Sequence, residues 1–168
     1  MNYILLSMVL IGLSSSVSNS YNYKNQATLL FYFSKYIQWP ASYNEGDFIV
    51  GVYGEEEVAE DIKRILAVRQ IDNRKIIVKR FNSTSQVPKK CNLLYLSANK
   101  SSSFYRIENH LKRTHTLLVT EKTGLGARGS HINLIIENNR MKFELNKASI
   151  AKSGLKVSSA LIKQAIEI

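Results

Sequence analysis

The sequence predicts an α/β domain in which helices cover both faces of a mainly parallel sheet, with a β-hairpin near the C-terminus. The first observation is that short apolar runs alternate with helical patterns between Phe48 and Thr120. Such alternation is typical of parallel strands that are joined by crossover helices. The second observation is a pair of β-rich runs around Asn138-Asn139-Arg140, which predicts a hairpin turn.

The first predicted element is a helix over residues 23–38, where apolar side chains recur at helical spacing. Pro40 ends this helix, because proline disfavours helical geometry at the preceding residue, Trp39. The next predicted elements alternate between strand and helix. They are a strand over residues 48–54, a helix over 55–68, strands over 75–81 and 93–96, a helix over 102–111 and a strand over 116–120.

The hairpin is predicted to pair residues 131–137 with residues 141–146. Ile132, Leu134 and Ile136 fall on one face of its first strand. This alternation predicts that the face is buried, so that Ile136→Ala lowers stability by about 2–5 kcal/mol.

A short helix over residues 147–153 is predicted to follow the hairpin. Gly154 can take the left-handed conformation that stops this helix, and Leu155 can pack back against it. Ser158 or Ser159 can cap the last helix of the chain.

Residues 1–20 have the composition of a secretory signal peptide. They contain no charged side chain, and their apolar stretch is shorter than the roughly 20 residues that span a bilayer. Small polar residues follow, so cleavage is predicted after Ser18 or Ser20. The sequence therefore predicts export to the periplasm and one mature domain over residues 21–168. The alternative is a short buried helix at the start of a cytosolic domain.

The chain is basic, because 23 Lys and Arg residues outnumber 13 Asp and Glu residues and give a net charge of +10. An exported protein meets little nucleic acid, so nucleic acid is not expected as a partner. The charge instead favours anionic lipid headgroups, cell-wall polymers or an acidic protein face. Many of the basic residues lie between Lys63 and Lys90, a distribution more typical of a solvated face than of a site.

Cys91 is the one cysteine of the sequence, so an internal disulfide is excluded. It directly precedes an apolar run that is predicted to be a core strand. This position favours a buried, inert thiol over an intermolecular disulfide, and both alternatives remain open at this point.

A glycine motif over residues 124–129 matches the letters of a dinucleotide fingerprint. In that fingerprint a helix follows the glycines and its N-terminus receives the pyrophosphate. Here a β-rich run follows, so the motif is interpreted as a loop with positive φ angles. Glu55, Glu56 and Glu57 at the first strand-to-helix turn would repel a phosphate as well. No cofactor is therefore predicted.

Catalytic and metal sites are not predicted either. His110, His115 and His131 are scattered without the spacing of zinc ligands, and the first two are expected to be solvated. No Gly-x-Ser-x-Gly motif is present, although a triad is defined by spatial arrangement and not by sequence order. The sequence thus predicts a protein that is not an enzyme.

Four residues are the candidates for contact with a ligand or partner: Trp39, Arg140, Glu144 and Lys156. Each lies near a predicted turn or the end of an element, where side chains can converge on one edge. Aromatic and basic side chains suit such contacts, since stacking and cation–π interactions contribute roughly 0.5–2 kcal/mol each.

The sequence resembles the YfiR-like family. The resemblance rests on the opening helix with Trp39-Pro40, on residues 74–78, on the cysteine-led run over residues 91–97 and on the closing block over residues 129–162. It covers nearly all of residues 21–168. Some members of the family carry several cysteines, whereas this chain has only Cys91, and Ser130 stands where a second glycine often occurs.

The resemblance implies a Rossmann-like three-layer sandwich without a nucleotide site. It implies a periplasmic homodimer that binds and restrains a membrane-anchored signalling protein, either a sensor kinase or, as the first choice, a diguanylate cyclase that makes cyclic-di-GMP. The alternative function is a periplasmic sensor module that binds a small ligand or a cell-wall fragment. In that case Trp39, Glu144 and Lys156 would line the pocket.

Overall fold

The computed structural model describes residues 23–168. The predicted signal peptide lies outside the described residues. The helices of the described chain are α1 (Lys24–Tyr36), α2 (Glu56–Leu66), α3 (Phe104–Leu111), α4 (Lys147–Lys152) and α5 (Ser159–Ile162). The strands are β1 (Ile37–Gln38), β2 (Phe48–Tyr53), β3 (Gln70–Ile71), β4 (Arg74–Phe81), β5 (Leu93–Leu96), β6 (Leu117–Thr120), β7 (Ile132–Glu137), β8 (Arg140–Leu145), β9 (Lys156–Val157) and β10 (Ile166–Glu167).

Within residues 23–168, eight strands form the main sheet in the order β3-β4-β2-β5-β6-β7-β8-β10. Its centre, from β4 to β7, is parallel. If only these five strands are numbered along the chain, their spatial order is 2-1-3-4-5, the flavodoxin-like order of doubly wound sheets. The predicted α/β class with a mainly parallel sheet is therefore confirmed.

Helices cover both faces of the sheet, as a parallel sheet requires. One face packs against α1 and α2 through side chains such as Leu30, Phe33 and Ile62. The other face packs against α3 through Phe104 and Ile107. The resulting three-layer arrangement agrees with the Rossmann-like layering that the resemblance implied.

The hairpin of β7 and β8 turns at Asn138 and Asn139, which both have positive φ angles of 51° and 58°. Two left-handed residues in succession are typical of the type I′ turn, and asparagine tolerates this conformation. The predicted hairpin is thus confirmed.

The prediction that Ile136 is buried is wrong. Ile132 and Leu134 are buried, but 67% of Ile136 is exposed. The reason is that β6 pairs with only the first two residues of β7, Ile132 and Asn133. The outer half of the hairpin extends beyond β6, so the alternation of apolar residues continues past the end of this neighbour, and Ile136 is left largely exposed among residues 23–168.

Several predicted boundaries differ from the observed ones. Helix α1 ends at Tyr36, because the next two residues form β1 and pair with β9 in a separate two-stranded sheet. Helix α3 begins at Phe104, after a 3-10 helix over Ala98–Ser103. Gly154 does stop α4 with a φ of 69°, and Leu155 is buried as predicted.

Gly51 lies where β2 is packed too closely for any side chain. A Cβ atom at this position would lie 2.7 Å from Cδ1 of Leu94, 2.9 Å from Cε2 of Phe81 and 3.2 Å from Sγ of Cys91. We expect Gly51→Ala to lower the free energy of unfolding by about 1–3 kcal/mol through overpacking. Urea denaturation measures this change.

The matched control is the double variant Gly51→Ala/Cys91→Ala. Removing the sulfur relieves one of the three close contacts, so the two substitutions should be less than additive. Full additivity would contradict the assigned packing of Gly51 against Cys91.

Candidate functional site

Trp39 lies in the core at the corner after β1. It is buried, its ring meets Phe48 edge-on at a centroid distance of 5.2 Å, and its Nε1–H donates to the carbonyl of Asn92 at 3.0 Å. The Asn92 side chain in turn accepts from the Ile49 N–H and donates to the Tyr43 carbonyl. The Trp39 hydrogen bond therefore links the corner after β1 to the residue that precedes β5.

Lys156 lies in β9 and is exposed. Its register partner in β1 is Gln38, the residue before Trp39, and the Lys156 side chain is exposed whereas that of Trp39 is buried. This sheet joins the end of α1 to the C-terminal segment, and Ser158 adds to the connection through a backbone hydrogen bond to Tyr36.

Glu144 belongs to a row of polar side chains that crosses three strands. The Asn133 amide donates to Glu144 Oε2 at 2.8 Å, and the Thr120 hydroxyl donates to Asn133 Oδ1 at 2.7 Å. Gly126 is packed over this row, since a Cβ there would lie 2.6 Å from Glu144 Oε2. These side-chain hydrogen bonds link β6, β7 and β8 to one another.

Arg140 lies on the outer half of the hairpin and is exposed. It is opposite Glu137 across the turn, and Ile136 is opposite Met141. Strand β10 pairs with β8 only at Glu144 and Leu145, so within residues 23–168 no strand covers the outer edge of β8 from residue 140 to 143. The outer hairpin surface, defined as Ile135, Ile136, Arg140 and Met141, spans both faces of the hairpin beside the unpaired edge of β8: Ile136 and Met141 lie on one face, and Ile135 and Arg140 lie on the other.

The structure does not bring the four predicted residues into one site. Trp39 is buried at the corner after β1 and Lys156 is exposed in β9, whereas Glu144 and Arg140 lie on the hairpin. Glu144 and Arg140 are four residues apart on one strand, a separation of about 13 Å. None of the four lines either of the two cavities described below.

A cavity of about 420 Å³ opens at the carboxyl edge of the sheet, where β5 and β6 end and the outer hairpin surface begins. We call it the carboxyl-edge cavity. In doubly wound sheets this edge is the usual place for ligands. Its apolar wall includes Leu134, Ile136 and Met141, and its polar wall includes Gln26 and Glu121.

Glu121 accepts two hydrogen bonds from neutral donors, at 3.2 Å from Nε2 of Gln26 and at 3.3 Å from the Ala98 N–H. No ion pair to Glu121 occurs within residues 23–168, although the chain carries a net charge of +10. The nearby Tyr95 hydroxyl is fully buried and has no hydrogen-bond partner in the described chain. Burial raises the pKa of Tyr95 well above its usual range, and the neighbouring Glu121 carboxylate raises it further.

Sequence reasoning missed the residues of the carboxyl-edge cavity. Gln26 and Glu121 are 95 positions apart, and only the fold brings them together. Glu121 carried a usable signal, because it directly follows an apolar strand at the edge where parallel sheets place their sites.

Cys91 is buried, as predicted, and its thiol lies 3.1 Å from the carbonyl oxygen of Leu93. Burial raises the pKa of this thiol to about 12. The reactive thiolate is therefore scarce at neutral pH, which agrees with the expectation of an inert cysteine.

The prediction that His110 and His115 are solvated is wrong, since both are half-buried and hydrogen-bonded to backbone carbonyls, of Val87 and of Ser153. His131 is buried, its Nδ1 accepts from the Leu118 N–H at 3.0 Å and its Nε2 lies 2.9 Å from Ser153 Oγ. Within the described part of the chain, no cluster of His, Cys, Asp or Glu has the arrangement of a metal site.

We expect acid to destabilise the fold through His131. Burial lowers its pKa to about 4, against a value of about 6.5 in the unfolded chain, so only the unfolded state takes up a proton as the pH falls between these values. The contribution of His131 to the free energy of unfolding is fully present above pH ~6.5, and it falls by about 3 kcal/mol as the pH is lowered to ~4. Urea denaturation at several pH values measures the loss.

The control for His131 is His131→Gln, which retains an oxygen acceptor for Leu118 and does not titrate. Carboxyl groups contribute to the acid dependence of both proteins, so the difference between their curves isolates the histidine. Parallel curves would mean that His131 has no part in the acid sensitivity.

The glycine motif over residues 124–129 is a loop, as predicted. Gly124 and Gly129 have positive φ angles of 84° and 114°, and the chain continues into β7. The fold and these sites define a doubly wound α/β domain of flavodoxin-like strand order whose glycine loop leads into a strand.

The family model described as YfiR/HmsC-like matches residues 23–166. The chain therefore belongs to the YfiR/HmsC-like family, which consists of periplasmic, regulatory, non-catalytic proteins. A search of the curated proteins finds no sequence that matches this chain. Within residues 23–168, no helix combines the length and apolar character needed to span a bilayer.

Two solved structures are similar in fold. One is described as a conserved domain protein from Vibrio cholerae O1 biovar eltor, with 14% sequence identity, a TM-score of 0.54, and 71% of this chain and 53% of that chain covered. The other is the ABC domain in complex with L-Trp from Streptococcus pneumonia, with 11% identity, a TM-score of 0.51, and 72% and 54% covered. The chain spans about half the length of each structure, and at these identities the likeness shows the fold alone.

Proposed function

We propose that this protein restrains a membrane-bound signalling protein, a diguanylate cyclase, by binding its extracytoplasmic part. It acts by contact and carries out no reaction of its own. The family supports a periplasmic regulator, and the resemblance noted in the sequence supports the cyclase as its target. Export with cleavage after Ser18 or Ser20 and a homodimeric state belong to the same proposal.

The outer hairpin surface is the proposed contact with the cyclase. The observation that carries this proposal is the 67% exposure of Ile136 on a hairpin whose outer edge is unpaired within the described chain. Apolar side chains at the centre of a contact and unpaired edge groups are both features of partner-binding surfaces. Arg140 adds a cation at the same end of the hairpin.

Co-purification tests the proposed function. The full chain is expressed in its own host with a C-terminal tag, the membranes are solubilised in mild detergent, and the captured proteins are identified by mass spectrometry. We expect one inner-membrane cyclase to be enriched with the parent protein. Recovery without any inner-membrane signalling protein, from cells that contain the cyclase, would count against the proposal.

A second candidate function is a sensor that binds a small ligand or a cell-wall fragment. The carboxyl-edge cavity favours it, because Glu121 lines this cavity and makes no ion pair within residues 23–168, which suits a ligand with an ammonium or other N–H donor group. Calorimetry with amino acids and muropeptides tests this function, with Glu121→Gln as the matched variant. Binding heats that Glu121→Gln leaves unchanged would argue against the cavity as the ligand site.

A further inference from the structure

A second cavity, of about 410 Å³, lies on the side of the sheet that α3 covers. We call it the basic cavity. It is bounded by the end of α3, by the glycine loop where it enters β7 and by α4. Leu118 of β6 also lines it, so the lining comes from four segments of the chain.

Four basic residues line the basic cavity: Lys112, Arg113, Arg128 and Lys152. Among residues 23–168, Glu108 is the one acidic residue in its lining, and Glu108 Oε2 lies 3.7 Å from Nζ of Lys112. Within residues 23–168, Arg113, Arg128 and Lys152 make no ion pair. Three unpaired cations around one concavity produce a positive potential that attracts an anion.

The backbone of Arg113 supports a functional role for its side chain. Arg113 follows the end of α3 with a φ of 69°, in the left-handed conformation that glycine usually takes after a helix. A side chain at such a position destabilises the fold relative to glycine. We therefore attribute the arginine at this position to a function of its side chain and not to the stability of the helix end.

Ser153 provides a hydrogen-bond donor in the same cavity. The Leu118 N–H donates to Nδ1 of His131, so the proton of the neutral ring is on Nε2. This Nε2–H donates to Ser153 Oγ at 2.9 Å. The Ser153 hydroxyl acts as acceptor in that bond, which leaves its own hydrogen to donate to a group in the cavity.

We propose that the basic cavity binds a phosphate group, with Arg113, Arg128 and Lys152 as its charged contacts and the Ser153 hydroxyl as a neutral donor. Phosphate fits this arrangement because it carries up to two negative charges and presents acceptor oxygens on all sides. The phosphate belongs either to a small soluble ester or to a lipid headgroup. This site is separate from the outer hairpin surface and does not depend on the identity of the signalling partner.

Calorimetry at low ionic strength tests the proposal with two probes. The first is inorganic phosphate, and the second is phosphatidylcholine vesicles with and without phosphatidylglycerol. We expect Arg128→Gln to raise the dissociation constant about tenfold, because a charge-assisted hydrogen bond is lost. Lys75→Gln is the matched control, since it removes the same charge from an exposed residue of β4 and should change the constant by about twofold or less.

Two further variants separate binding from folding. Ser153→Ala leaves the net charge unchanged and should still weaken phosphate binding. Arg113→Gly should weaken binding while its Tm is no lower than that of the parent protein, because glycine suits the positive φ of this position. If Arg113 had only a structural role, Arg113→Gly would not weaken phosphate binding while keeping a Tm at least as high as that of the parent protein.

The binding results distinguish between the two sources of the phosphate group. Binding of inorganic phosphate that these variants weaken supports a soluble ester, and binding of anionic vesicles alone, weakened by the same variants, supports a lipid headgroup. Absence of binding to both probes at millimolar phosphate overturns the proposal. It is also overturned if Lys75→Gln weakens binding as much as Arg128→Gln does, since the attraction would then be nonspecific.

Discussion

Phe143→Ala is expected to lower the free energy of unfolding by about 3–5 kcal/mol, the usual effect of truncating a buried phenylalanine. Phe143 is only 5% exposed, and its ring meets that of Phe33 edge-on at 5.0 Å. The pair joins β8 to α1, so the substitution leaves a cavity between the hairpin and the helix layer. Urea denaturation of the parent and variant proteins measures the loss.

Ile136→Ala is the matched control on the same hairpin. Because 67% of Ile136 is exposed, its truncation should change stability by about 0.5 kcal/mol or less. Equal losses for Phe143→Ala and Ile136→Ala would mean that the outer half of the hairpin is packed as tightly as the inner half, contrary to the structure.

Ile136→Asp is expected to weaken binding to the extracytoplasmic part of the cyclase about 100-fold or more, the effect of losing a central apolar contact. The new carboxylate would be desolvated at the interface without a partner, while in the free protein it stays in water. The variant should therefore fold normally and fail to bind. Affinity is measured with the purified extracytoplasmic domain of the captured partner by surface plasmon resonance.

Val68→Asp serves as the control for Ile136→Asp. Val68 follows α2 and is 85% exposed, so the same change in charge and hydrophobicity falls outside the outer hairpin surface. We expect its affinity to match that of the parent protein. If Ile136→Asp binds as tightly as Val68→Asp, the hairpin is not the contact surface.

Local patterns were sufficient to predict much of the fold. The alternation of apolar runs with helical patterns predicted the parallel sheet, because β5 and β6 are buried on both faces. Asn138 and Asn139 predicted the turn, and Gly154 predicted the end of α4, since each takes a backbone conformation that few residues tolerate.

The remaining features depend on contacts between distant parts of the chain. Strands of two residues, such as β1 and β9, are too short to show an alternating pattern. The alternation of apolar residues up to Ile136 shows which face of β7 they share, but it does not show how far the neighbouring strand extends. Here β6 pairs with β7 only as far as Asn133. Trp39 was recognised as a corner residue, but its contacts with Phe48 and Asn92 became visible only in the folded chain.

The two cavities could not be predicted from the sequence either, because each combines residues from distant parts of the chain. Glu121 is hydrogen-bonded to a helix residue 95 positions away, and the basic cavity combines the end of α3 with α4. Sequence reasoning placed the excess of positive charge between Lys63 and Lys90, whereas the cations that converge on a concavity lie further along the chain, at Arg113, Arg128 and Lys152. Charge density along the sequence does not indicate which side chains converge in space.

The cellular level of cyclic-di-GMP tests the central claim most directly. It is measured by mass spectrometry in a deletion strain that carries the parent gene, Ile136→Asp, Val68→Asp or an empty vector, with equal protein amounts confirmed by blotting. We predict a raised level with the empty vector and with Ile136→Asp, and a normal level with the parent gene and with Val68→Asp. An unchanged level on deletion, or full restoration by Ile136→Asp, would contradict restraint of a cyclase through the outer hairpin surface.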